Sequence, residues 1–134
     1  YEYWREHIGR TYYSFDYKGC HFLVLSTEES KSPEQAAVAG KAMMDFAVAD
    51  LEKNKDARHI FIFMHRPSWF NARMWGSIEA ALKGAKATVI AGHWHRLMHE
   101  RRGDITYMVI GATGAGLTEI SLPELGRFHH FDLV

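Results

Sequence analysis

The run Ile60–Met64 (IFIFM) constrains the fold of this chain more than any other feature. A strand that is apolar on both faces belongs inside a sheet covered on two sides. Upstream lies a helix signal, Ser32-Pro33-Glu34-Gln35, in which serine caps, proline takes the first helical position and Gln35 completes a capping box. That helix is predicted to run to about Lys53, with Ala39, Met43, Phe46, Ala47 and Leu51 on its inner face. Before it, Thr11–Tyr17 alternates as a half-buried strand, Lys18-Gly19 reads as a tight turn, and Cys20–Leu25 (CHFLVL) reads as the hairpin partner. Strand, helix and strand in this order predict a βαβ crossover with parallel strands. An aromatic loop (Trp69, Phe70, Trp75) and a short helix near Ser77–Lys83 lead to a second apolar strand, Ala87–Ala91 (ATVIA). Further strands are predicted near Arg96–Arg101, Ile105–Ile110 and Arg127–Leu133, with the glycine-rich GATGAG (residues 111–116) as a turn between the last two. No repeat or linker divides the 134 residues, about one domain's worth of chain. The fold class expected is mixed α+β.

Both apolar strands run into histidine. His65 follows IFIFM directly, and His93 stands one glycine after ATVIA, in AGHWHR (residues 91–96). In open α/β sheets, ligands bind beyond the carboxyl ends of the strands. Two neighbouring parallel strands ending this way place His65, His93 and His95 on a common rim. If the segment is extended, His93 and His95 point to the same side, and Gly92 admits close backbone approach. Imidazole is the commonest metal-ligating side chain, which makes the three histidines candidate ligands. Catalytic zinc takes about three protein ligands plus water, and two-metal sites add bridging carboxylates. Here the oxygen donors are short: Asp16 and Asp132 lie within strands, Asp45 and Asp50 on the helix, and Glu28-Glu29 follow a strand without a clear match.

Composition narrows the partners. Sixteen basic residues balance sixteen acidic ones with no basic block, which argues against nucleic acid or a membrane surface held by charge. No apolar run approaches the roughly 20 residues of a membrane span. No signal-peptide pattern opens the chain, and its compartment is left open. Cys20 is the only cysteine, so neither a disulfide framework nor a thiolate metal cluster is expected. The first residue is Tyr1 rather than methionine, the mark of a processed, truncated or partial chain.

The segments TYYSFDYKGCHFLVLST, DFAVADLEKN, HIFIFMHRPSW, AGHWHR, YMVIGATGAG and GRFHHFDLV together resemble, in order, the C-terminal half of calcineurin-like metallophosphoesterases. That superfamily includes the purple acid phosphatases. HIFIFMHRPSW resembles its buried strand ending in a ligand histidine, and AGHWHR its G-H-x-H motif. The resemblance implies half of a four-layer αββα sandwich with a mixed β-sheet. It further implies two divalent or trivalent metal ions of Zn, Mn or Fe type, with His65 and His93 on one and His95 on the other. The implied activity is hydrolysis of a phosphorylated substrate by two-metal activation of water; monoesters, diesters and phosphoproteins are all cleaved within the family. The family's D-x-H, G-D-x-x-D and G-N-H-D/E motifs, which carry the bridging aspartate and the remaining ligands, do not occur in this chain. By itself it is therefore expected to be incomplete and inactive, and to self-associate through faces that the other half covers.

Other residues have two readings each. Arg66 is a candidate for a substrate phosphate through its planar fork, or a surface arginine beside Pro67. Trp94, flanked by candidate ligands, is a candidate for lining the site. Trp69, Phe70 and Trp75 either wall a pocket or pack on a neighbouring layer. His99, His129 and His130 match no metal motif, and Ser68 has no histidine–carboxylate relay. Beside the hydrolase stands a reading from another class, a non-catalytic module that binds a metal or a partner through the same histidine rim. A third is an inert fragment.

Overall fold

The computed structural model describes residues 2–28 and 33–111. Ser32, most of GATGAG, the strand expected at Arg127–Leu133, and His129 and His130 lie outside them. The described chain is an α+β fold built on one six-stranded mixed sheet. A short helix α1 (Glu2–His7) precedes the hairpin β1 (Tyr13–Tyr17) and β2 (Cys20–Val24); helix α2 (Pro33–Asn54) then leads to β3 (His59–Met64). A single 3-10 turn (Ser68–Phe70) and α3 (Ala72–Ala81) connect β3 to β4 (Ala87–Ala91), and a second hairpin, β5 (Met98–Arg102) and β6 (Ile105–Val109), follows. The strand order is β1-β2-β3-β4-β6-β5. The four central strands are parallel, and β1 and β5 close the two edges antiparallel.

The predicted βαβ crossover is present, and the α2 start at Pro33 matches the sequence signal. Two elements differ from expectation. Helix α3 starts five residues early, because Asn71 caps it: its side chain accepts the Met74 N–H at 3.3 Å. Helix α1 was not expected; its six residues bury nothing, and stacking of Tyr3 on His7, one turn apart, supports it.

The core lies between one sheet face and both longer helices. Met43, Ala47 and Leu51 of α2 and Trp75 and Ile78 of α3 pack with Leu23, Ile60, Ile62, Val89 and Tyr107 of the sheet in one cluster. Trp69 and Trp75, pocket or packing in the sequence, are 2% and 1% exposed and belong to this core. The opposite face departs from the prediction for IFIFM. Strand β3 alternates, with Ile60, Ile62 and Met64 buried and Phe61 and Phe63 half-buried. Only β4 is buried at every position. On β1–β3 most residues of that second face are half-buried or exposed. An aromatic row runs across it: Phe15 stacks on Phe22 at 4.9 Å and Phe22 on Phe61 at 5.1 Å, each pair in direct register.

On the helical face the β1–β2 hairpin is tied to α2 by a buried polar group. His21, 2% exposed, sets Nδ1 2.8 Å from an Asp16 carboxylate oxygen and Nε2 2.7 Å from one of Asp50. Ser14 Oγ donates to Asp50 as well, at 2.9 Å. Removing the ring leaves the largely buried Asp50 without its main partner. His21→Ala is expected to lower the unfolding free energy by about 2–4 kcal/mol, read in urea titrations. Asp16→Asn, at an exposed carboxylate, should cost well under half of that.

Candidate metal centre

The parallel polarity of β2, β3 and β4 gathers their carboxyl ends on one edge. Thr27 and Glu28 follow β2, His65 and Arg66 follow β3, and Gly92 to Arg96 follow β4. The ladder continues past the strands: Leu25 N–H donates to Phe63 C=O at 2.8 Å, and Gly92 N–H to His65 C=O at 3.0 Å. These bonds bring the backbone of the two histidine loops together. A Cβ on Gly92 would meet His65 only at 3.9–4.0 Å, ordinary contact, so close approach does not require glycine there.

The strained positions are the histidines themselves. His93 has φ 71° and His95 φ 48°, both in the left-handed region. The expectation that AGHWHR is extended, with both rings on one side by alternation, is thereby corrected. The segment bends immediately after β4. Left-handed backbone in a residue with a Cβ costs of order 1–2 kcal/mol, and histidine tolerates it better than most.

Within this bend the structure brings two of the three predicted histidines together. His93 Nδ1 lies 3.2 Å from His65 Nε2, the rings edge to face with centroids 5.0 Å apart. Arg66 closes on the far side of His93, its Nη1 3.1 Å from His93 Nε2. A guanidinium only donates, so His93 Nε2 accepts, and the hydrogen of a neutral ring sits on Nδ1, directed at His65 Nε2. Among the described residues no group of three His, Cys, Asp or Glu is placed to hold a metal ion, so His95 does not join this pair.

The oxygen donor that the sequence left without a match is Glu28. Arg66 grips it through Nε and Nη2, the latter at 3.1 Å to Glu28 Oε2, while Arg66 N–H donates to Thr27 Oγ1 at 2.8 Å. Glu28, Arg66, His93 and His65 thus form one hydrogen-bonded chain across three loops. Nothing in the local sequence of Ser26 to Glu29 marks Glu28; only the adjacency of β2 and β3 does. The Arg66 hydrogen bond holds the Glu28 carboxyl below its ordinary 4.5, partial burial opposes it, and the charges of Arg66, His65 and His93 add to it. A carboxyl depressed in the folded state contributes stability above its unfolded value, and loses it as pH falls through the folded one. NMR titration of the Glu28 carboxyl should give a midpoint below 4.5, rising towards that value in Arg66→Ala.

Trp94 packs between two neighbours. Its ring lies 4.7 Å from Phe70, and the Arg96 guanidinium sits 4.7 Å over it. It is half-buried and packs against the core. Its contacts explain how the bend is anchored: the residue between the two left-handed histidines is fastened to the loop after β3.

No family model matches the chain, and no curated protein matches it. Among solved structures it is similar to a chain of "GAP50 the anchor in the inner membrane complex of Plasmodium", with a TM-score of 0.49 and 14% identity over 75% of this chain. The chain spans 36% of that one's length. No helix among the described residues is long and apolar enough to cross a membrane.

Proposed function

We propose that this chain is the C-terminal half of a metal-dependent phosphoric ester hydrolase of the calcineurin-like type, and that His65 and His93 hold one cation between them. One observation carries this reading: the 3.2 Å between His65 Nε2 and His93 Nδ1 at the ends of adjacent parallel strands. Two nitrogens bound at about 2.0–2.1 Å to one tetrahedral ion stand roughly 3.3 Å apart, so the pair fits a shared cation with little rearrangement. His95, which has its own left-handed backbone, is assigned to the second ion by the motif resemblance. Bound cations of this kind activate water and neutralise phosphate oxygens.

The chain's own residues do the rest. When His93 Nδ1 ligates, the ring holds its hydrogen at Nε2 and no longer accepts from Arg66. The guanidinium edge that now faces His93 is released and can turn to a substrate phosphate, which its planar fork matches. Glu28 keeps the other edge and fixes the side chain's position.

The test has two parts. Zinc titration of the chain followed by imidazole NMR should shift His65 and His93 together, at a stoichiometry of about one. The chain alone should hydrolyse p-nitrophenyl phosphate no faster than the metal in buffer, whereas a longer protein carrying the acidic motifs turns it over. Zinc binding without turnover in that longer protein would favour the non-catalytic metal-binding module instead.

A further inference from the structure

Among the described cavities, one of about 510 Å³ has His65 and Glu28 in its wall, and its remaining lining includes Trp4, Tyr13, Val24 and Leu25. The other described cavities touch neither histidine of the pair. Small-molecule sites are typically clefts of this size, mostly apolar, with a few polar groups converging at one end. Here the rim carries His65 and Glu28, and the rest of the wall sets Trp4 and Tyr13 beside Arg10 and Thr11. Trp4 and Tyr13 are 47% and 40% exposed. A single exposed aromatic is ordinary; two that share a cleft with a ligand-type histidine offer a flat apolar surface at a fixed distance from the chemistry.

We propose that this cleft is the subsite for the organic group of the substrate, and that it selects phosphate esters with an aromatic or similarly flat apolar group. The proposal rests on the reading of His65 and His93 as a metal pair. The phosphate sits at the histidine end, beside His65. The organic group lies against Trp4, which α1 presents, and Tyr13, which begins β1. Val24 and Leu25 supply an apolar floor, Leu25 being buried at 4% exposure. This gives α1 a role: it buries none of its own residues, yet contributes one wall of the cleft. Rings recognise rings through offset or edge contacts and large buried area, whereas a small alkyl group leaves both aromatics in water.

Calorimetry with phosphonates, which are not hydrolysed, tests this on the full chain at saturating zinc. Phenylphosphonate should bind about tenfold more tightly than methylphosphonate. Trp4→Ala and Tyr13→Thr should each cut that preference to below about threefold and leave methylphosphonate affinity unchanged. Both positions are surface ones, and Thr keeps a strand former at Tyr13; circular dichroism checks the fold. Equal affinity for the two phosphonates, or a preference that survives both substitutions, overturns the subsite while leaving the metal pair standing. If the zinc-loaded chain binds neither phosphonate while imidazole NMR places zinc on His65 and His93, the subsite falls and the metal pair stands.

Discussion

His93→Ala is expected to weaken zinc binding by the chain about a hundredfold or more, a loss of ~2.7 kcal/mol. One of two imidazoles is removed, and His65 alone is an ordinary surface ligand. The left-handed backbone at φ 71° separates ligand loss from misfolding. Alanine at this position keeps the strain, while glycine relieves it. His93→Gly should therefore lose zinc as completely as His93→Ala, yet unfold at higher denaturant, with a gain of about 1 kcal/mol. Stability that rises as binding falls would identify the residue as one kept for its chemistry. In a longer protein with the acidic motifs, His93→Ala and His95→Ala should each lower turnover by orders of magnitude, and His129→Ala should leave it nearly intact. Equal losses for His129 and His93 would contradict the assignment.

The aromatic sheet face gives the second large effect. Phe15 and Tyr17 are 48% and 60% exposed, and Phe22, Phe61 and Phe63 continue the row half-buried. A contiguous apolar patch of this kind is rare on monomeric proteins, where the largest are a few hundred Å². Sedimentation velocity of the 134-residue chain is expected to show self-association at micromolar concentration. Phe15→Glu and Phe61→Glu should shift it towards monomer, because charge desolvated between two sheets has no partner there. His59 beside Phe61 does not supply one, since partial burial, aided by Lys86 and Arg58, holds the imidazole below its usual range and hence neutral at pH 7. A monomer with cooperative unfolding would show the row to be covered within the chain.

Local signals carried most of the fold. Alternation in β1, the turn at Lys18-Gly19, the apolar run of β3 and the proline at the start of α2 are short-range features, and the elements they predict are present. Helix α3 was placed late because the Asn71 cap lies inside an aromatic loop that gave no periodic cue. The site was half legible. Histidine at the ends of two apolar strands brings His65 and His93 together wherever those strands pair in parallel, and β3 and β4 do. His95 falls outside this logic, because no residue in AGHWHR signals two left-handed turns. Glu28 was invisible for another reason: its partner Arg66 is 38 residues away, and only the strand order joins them.

The parallel polarity that gathers the histidines on one edge sets the connections between elements on the other. There the chain turns at Lys18-Gly19, Lys55–Arg58, Leu82–Lys86 and Gly103-Asp104, and φ is positive at Lys18, Gly19, Gly84 and Gly103. Two of these are two-residue hairpins whose length sets strand register; the connection at Lys55–Arg58 joins a helix to a strand, and its exposed Lys55 and Asp56 precede the Arg58 N–H bond to Gly19 C=O. It is the natural place for an inserted tag, a fluorophore or a new pair of termini. A chain opened there keeps Glu28, Arg66 and His93 on a rim a full strand length away, so the histidine pair can be watched by a reporter that does not touch it.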